Sequence, residues 1–159
     1  MLTALAGCTR QQQVHQLGDK VQVGGVLYSV LDAAWANELE AGGGLPRTPH
    51  HKFLVVQLSL SNVGNKEVTL PLLHVVKPDK TDVLELSEGQ GVEGWLGILR
   101  TLNPTETKVG RVVFDVPQGA YNLRLTDGGD PDTEKTAVVA LPAKKGNLDS
   151  PLLNTPSTR

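Results

Sequence analysis

The chain of 159 residues carries a formal net charge of −2 at pH 7, with 39% hydrophobic and 20% charged residues, the make-up expected of one soluble globular domain. That charge leaves no basic field to neutralise phosphates, so nucleic-acid binding is not expected, and no apolar run approaches the roughly 18 residues that a membrane-spanning helix requires. The one cysteine excludes an intramolecular disulfide, while 17 Gly and 10 Pro point to many turns between short strands.

The first residues, Met1 to Cys8, read MLTALAGC. Leu5-Ala6-Gly7-Cys8 resembles the bacterial lipobox, in which small residues precede a cysteine that is lipidated before the signal peptide is cut. The resemblance implies that Cys8 becomes the first mature residue and that acyl chains on its sulfur and amine attach the protein to a membrane. With no basic n-region and an apolar stretch shorter than the usual ~7 to 15 residues, residues 1–8 read as a truncated lipoprotein signal. Thr9 to Lys20 (TRQQQVHQLGDK) is polar and Gln-rich, as expected of a flexible tether.

From Val21 the character changes. Val26, Tyr28 and Val30 alternate with Leu27, Ser29 and Leu31, which predicts a strand. Over Asp32 to Ala41 the sequence admits either an Ala-rich continuation of that strand or a short helix capped by Asp32 and ended at Gly42. Ala41 to Pro49 (AGGGLPRTP) reads as a flexible loop. Beyond Lys52, Leu54, Val56, Leu58 and Leu60 share one face while Val55, Gln57, Ser59 and Ser61 share the other, so the large leucines and valine point inward. Asn62-Val63-Gly64-Asn65 offers residues suited to positive φ and turns the chain.

Shorter strands are predicted at Glu67 to Leu70, at His74 to Lys77 and Val83 to Leu86 about the turn Pro78-Asp79-Lys80, and at Thr136 to Leu141. Two stronger ones lie between them. Val112, Phe114 and Val116 alternate with Arg111, Val113 and Asp115, and Tyr121, Leu123 and Leu125 alternate with Asn122, Arg124 and Thr126. Pro142 to Arg159 reads as a disordered tail. Many short strands with no helical alternation predict an all-β, two-sheet antiparallel immunoglobulin-like β-sandwich over residues 21–141.

Three landmarks carry a family resemblance: a long strand ending in Asn-x-Gly (Lys52 to Gly64), the turn Asn103-Pro104-Thr105-Glu106, and the run Val109-Gly110-Arg111-Val112-Val113-Phe114-Asp115-Val116-Pro117. Their order resembles the bacterial immunoglobulin-like lipoproteins of unknown function related to mycobacterial secreted immunoprotective antigens. Gly is usual where Thr105 stands. The resemblance implies a sandwich of the cell envelope and no particular activity.

Candidate chemistry is sparse. A blue-copper site needs a thiolate with histidines and commonly a methionine, yet the one Cys lies on the tether and the one Met is Met1. His50 and His51 follow the Gly-rich loop and present two imidazoles suited to Zn or Cu, although neighbours entering a strand point to opposite faces. Asp127, Asp130 and Asp132, with Glu134, crowd one turn and are oxygen ligands suited to Ca²⁺, without the EF-hand order. No Gly-x-Ser-x-Gly or partnered Ser, His and Asp motif is present, so no catalytic residue and no cofactor is expected.

Gly89 to Leu102 (GQGVEGWLGILRTL) stands out because Trp95, Leu96, Ile98 and Leu99 concentrate between glycines. Trp95 either plugs one end of the sandwich or, with Leu96 and Ile98, forms an exposed patch that docks a partner. The expected function is therefore that of a non-enzymatic envelope lipoprotein, held at the periplasmic or extracellular face through acylated Cys8, binding a protein or glycan through its loops. The alternative is a periplasmic or secreted carrier of a small ligand or metal ion.

Overall fold

The computed structural model describes residues 12–41, 43 and 45–143. Cys8, with the lipidation expected of it, and the tail beyond Ala143 lie outside the described residues. The chain runs as β1 (Val14–His15), β2 (Lys20–Val23), β3 (Val26–Ala36), β4 (Leu39–Ala41), β5 (Leu45–Arg47), β6 (Lys52–Asn62), β7 (Val68–Leu70), β8 (His74–Val76), β9 (Asp82–Leu84), β10 (Arg100–Leu102), β11 (Thr107–Val116), β12 (Tyr121–Thr126) and β13 (Thr136–Leu141), with no helix among the described residues.

Two sheets enclose the core. One has four strands in the order β11-β6-β3-β2 and the other five in the order β1-β13-β12-β8-β9, with two-stranded ribbons β10-β7 and β4-β5 beside them. Pairing is antiparallel except between β1 and β13. The period of two along β6 carries Leu54, Val56, Leu58 and Leu60 inward to meet Leu123 and Leu125 of the facing sheet, all fully buried. Between the sheets, at the passage from β11 to β12, the Tyr121 hydroxyl donates to the Pro117 carbonyl four residues upstream. This is the tyrosine corner of immunoglobulin-like sandwiches, and it fixes the entry of β12.

The sandwich begins earlier than its apolar pattern suggested. Residues 9–20 read as a tether, yet Val14 pairs with Val138, His15 pairs with Val139, and Leu17 packs against the core. A two-residue strand is held by backbone hydrogen bonds, so it needs no apolar period to form.

The segment from Asp32 to Pro49 also departs from expectation. Strand β3 continues to Ala36, which removes the helical alternative, and its register shifts between Val30↔Leu58 and Asp32↔Gln57. The extra residue, Leu31, makes a β-bulge that inverts the alternation. Val26, Tyr28 and Val30 face the core before it, and Ala33 and Trp35 after it. Beyond, β4 and β5 pair as a hairpin where a flexible loop was expected. A second apolar cluster of Ala36, Leu39, Phe53, Val55 and Val113 thereby forms on the outer face of the four-stranded sheet, with Leu86 and Val92 packed against it. The Arg47 guanidinium lies 5.4 Å from the Phe53 ring centre and donates to the Glu88 and Gln90 carbonyls.

At the end of β6 the turn is held by a side chain rather than by positive φ. Buried Asn62 accepts from the Gly64 N–H at 3.0 Å and donates to the Lys66 and Leu102 carbonyls at 2.7 and 2.9 Å. Positive φ appears instead at Thr105, at 69°, whose N–H donates to the Asn62 carbonyl. That left-handed position accounts for glycine being usual there.

Tyr28 is fully buried and its hydroxyl donates to the Thr126 carbonyl at 2.5 Å. Burial pushes its pKa well above the ordinary 10.0. Because the folded value exceeds the unfolded one, the contribution of the neutral phenol is whole below about pH 10 and declines as pH rises further. Chemical unfolding across the alkaline range is expected to show stability falling above about pH 10, and Tyr28→Phe to flatten that fall while costing about 1 kcal/mol at neutral pH. Tyr121, which burial also raises, supplies the slope that remains.

Candidate functional site

Residues 85–102 close the sandwich along the open edge of β11. The Leu86 N–H donates to the Val113 carbonyl at 2.8 Å, the Arg111 N–H to the Gly94 carbonyl at 2.8 Å, and the Leu96 N–H to the Arg111 carbonyl at 3.0 Å. Trp95 thus forms a parallel bridge with Arg111. Bare strand edges invite pairing with other chains, and this segment covers one.

Glycines permit the approach. A Cβ on Gly110 would lie 2.5 Å from the Gly94 oxygen and 2.6 Å from Leu96 Cδ2, and one on Gly89 would lie 2.0 Å from the Trp95 ring. The segment divides the residues that the sequence grouped into one patch. Trp95 is half-buried beside Arg111 on the outer sheet face, Leu96 packs against the main core, and Ile98 and Leu99 are 51% and 81% exposed.

Around Trp95 the polar groups are unusual. Arg111 donates from Nη1 to the Glu93 carbonyl at 2.9 Å, but its Nε and the Trp95 Nε1 are buried without a hydrogen-bond partner among the described residues. A small cavity of about 50 Å³ opens beside Arg111, lined with it by Leu39, Val55, Gly91, Val92 and Glu93.

The two ends of the segment are joined inside the protein. Arg100 and Glu85 form a bidentate ion pair, Nη1 to Oε1 at 2.5 Å and Nη2 to Oε2 at 2.7 Å, with side chains 1% and 0% exposed. Arg100 Nε donates to the Gly97 carbonyl and Glu85 Oε1 accepts from the Leu73 N–H at 2.6 Å. Sequence reasoning passed over this pair. Its one signal is a glutamate between Leu84 and Leu86, at a position where the neighbouring strand residues are apolar.

The metal candidates do not converge. The His50 and His51 backbone N–H groups donate to the two oxygens of Asp115 at 2.7 and 2.8 Å, and both imidazoles are exposed. In the acidic turn, Asp127 Oδ1 accepts from the Gly129 and Lys135 N–H groups, the Glu134 carboxylate accepts from the Thr126 hydroxyl, and Asp130 and Asp132 are exposed. Among the described residues no group of three or more His, Cys, Asp or Glu is placed to hold a metal ion. A cleft of about 270 Å³ with mixed polar and apolar walls lies nearby on the outer face of the five-stranded sheet, lined among others by Pro71, Leu72, His74, Arg124, Thr126 and Glu134, with Arg124 ion-paired to Asp82.

Residues 15–138 match a family described as a domain of unknown function, DUF4352. The chain belongs to the DUF4352 family. That match runs from the last residue of β1 into β13, so the family's unit includes the edge segment. Among solved structures, yjhA of Bacillus subtilis is similar at a TM-score of 0.61 with 13% identity, over 80% of this chain and 99% of that one. A candidate lipoprotein of Bacillus subtilis, ycdA, is similar at 0.59 with 16% identity, over 80% of this chain and 38% of its own. MPT63, a secreted protein of Mycobacterium tuberculosis, is similar at 0.55 with 12% identity, over 84% of this chain and 99% of that one. These likenesses establish a shared β-sandwich between this DUF4352 chain and both a lipoprotein candidate and a secreted protein. No curated protein matches the sequence.

Proposed function

We propose that this DUF4352 protein is a non-enzymatic, lipid-anchored module of the bacterial cell envelope that binds a protein or glycan partner. The observation that carries the reading is the lipobox-like Leu5-Ala6-Gly7-Cys8 ahead of a sandwich whose structural relatives include a candidate lipoprotein and a secreted protein. A rigid scaffold with an irregular, apolar-rich edge segment suits recognition better than catalysis. Wild-type protein expressed natively is expected to carry acyl mass on Cys8 and to sediment with membranes, while Cys8→Ala stays unacylated and in the soluble fraction. An unmodified Cys8 behind an intact Met1 in the native protein refutes the anchor. The cleft by His74, Arg124 and Glu134 favours a second reading, a carrier of a small polar ligand, which equilibrium dialysis against envelope extracts would detect as retained small molecules.

A further inference from the structure

The cleft of about 270 Å³ on the outer face of the five-stranded sheet is built from two rows of polar side chains and one apolar wall. His74 of β8 and Arg124 of β12 are cross-strand partners, so an imidazole and a guanidinium stand side by side in the first row. Two residues further along β12, a step of about 7 Å, Thr126 stands opposite Thr136 of β13. The Thr126 hydroxyl donates to Glu134 Oε1 at 2.5 Å, which sets a carboxylate in the second row. The apolar wall is the connection from Pro71 to Leu73 between β7 and β8.

The opposite charges of the two rows do not neutralise each other. Arg124 is ion-paired through Nη2 with Asp82, which is not a wall of the cleft, and its other donors have no acceptor among the described residues. Glu134 Oε2 has no donor among the described residues, and no ion pair there joins Glu134 to Arg124 or His74. The wall, in turn, is fixed from inside by the buried ion pair. Leu73 donates its N–H to Glu85 Oε1 at 2.6 Å and accepts from the Glu85 N–H at 2.9 Å, while Arg100 Nη1 reaches the Pro71 carbonyl at 3.5 Å. A wall held in this way is in place before a ligand arrives, which lowers the ordering cost of binding. Pockets for drug-sized ligands run from about 300 to 1,000 Å³, so this cleft suits something smaller.

We infer that the cleft binds a free α-amino acid with an aliphatic side chain. Its carboxylate lies on His74 and Arg124, its ammonium on Glu134 with the Thr136 hydroxyl as second acceptor, and its side chain against Pro71 and Leu72. One carbon separates the two charged groups of such a molecule, so with a hydrogen bond of about 2.8 Å at each end it spans the step between the rows. This deepens the small-ligand carrier reading by naming the ligand class, and it rests on that reading.

Titration of the full chain with L-leucine, followed by NMR at the His74 ring and Leu72 methyl signals, tests it. N-acetyl-leucine, which carries the carboxylate alone, leucinamide, which carries the ammonium alone, and sodium chloride at matched ionic strength are the companion probes. Leucine is expected to move both sets of signals saturably with a Kd on the order of 1 mM or tighter, and each single-charge probe to bind about 10-fold or more weakly. Glu134→Gln, whose amide oxygen still accepts from Thr126, is expected to weaken leucine binding about 10-fold and to leave N-acetyl-leucine unchanged. Arg124→Gln is expected to weaken leucine to a similar degree and to leave leucinamide unchanged, and it keeps the fold because a surface ion pair such as Arg124–Asp82 contributes little. Signals that stay in place, that move equally with a single-charge probe or with chloride, or that keep the wild-type leucine affinity in either variant overturn the proposal. Equilibrium dialysis reads the carrier role separately: a retained molecule without paired opposite charges overturns the amino-acid assignment while the carrier role stands.

Discussion

Arg100→Ala is expected to lower the unfolding free energy by about 3 to 5 kcal/mol, because it leaves the Glu85 carboxylate buried with one remaining partner. Glu85 is fully enclosed, and without the guanidinium only the Leu73 N–H still reaches it. Domains of this size are stable by about 5 to 15 kcal/mol, so the loss is a large fraction of the whole. Glu85→Gln should cost less, since the amide oxygen still accepts from Arg100. The double variant Glu85→Leu with Arg100→Met should regain most of the loss, because replacing both ions by apolar groups of similar shape removes the stranded charge. Denaturant unfolding of the four proteins decides it, and a loss under about 1 kcal/mol in Arg100→Ala would show that water reaches the pair.

The contrast between Glu85 and the strands around it explains what could be read from sequence alone. Strands β6, β11 and β12 were legible because each buries one face, so a period of two is written into their own residues. The bulge at Leu31 was not, since it depends on how β3 registers against β6. It broke one strand into two half-patterns and made the second half resemble a helix. The outer cluster of Phe53, Val55 and Val113 was hidden for a related reason, as Val55 lies on the face that alternation assigns to solvent. Only the distant hairpin β4-β5 and the edge segment make that face dry.

The candidate site shows the same division. Gly89 to Leu102 was recognisable as a place where apolar residues exceed what a surface loop needs, with Trp95 left between a core plug and an exposed patch shared with Leu96 and Ile98. The backbone pairing with Arg111 assigns them different faces, and Arg111 itself was read as an outward strand position with no further part. Pairwise relations such as Trp95 with Arg111 and Glu85 with Arg100 are created by the path of the chain. Composition cannot contain them. In the acidic turn the same holds for Asp127, whose Oδ1 accepts from the Gly129 and Lys135 N–H groups, a relation that its neighbours in sequence do not reveal.

A glycine inside an apolar strand is one sequence signal of close approach, and Gly110 is such a residue. Gly110→Val is expected to cost about 3 kcal/mol, the upper end for overpacking, because the Cβ would meet the Gly94 backbone oxygen at 2.5 Å as well as the Leu96 side chain. A flexible side chain can step aside, whereas the carbonyl is tied to the Arg111 N–H and moves only if residues 94–96 leave the edge. Two consequences separate this from simple core damage. Trp95 leaves its half-buried place while Trp35 stays in the core, so the red part of the emission grows and the blue part persists. The outward hydrogen-bonding groups of β11 become bare, so association should rise with protein concentration, as expected of an exposed strand edge. Gly110→Ala should show the same changes in weaker form. A Gly110→Val protein that unfolds at the wild-type temperature with unchanged emission would mean that the edge segment rests on β11 without depending on it.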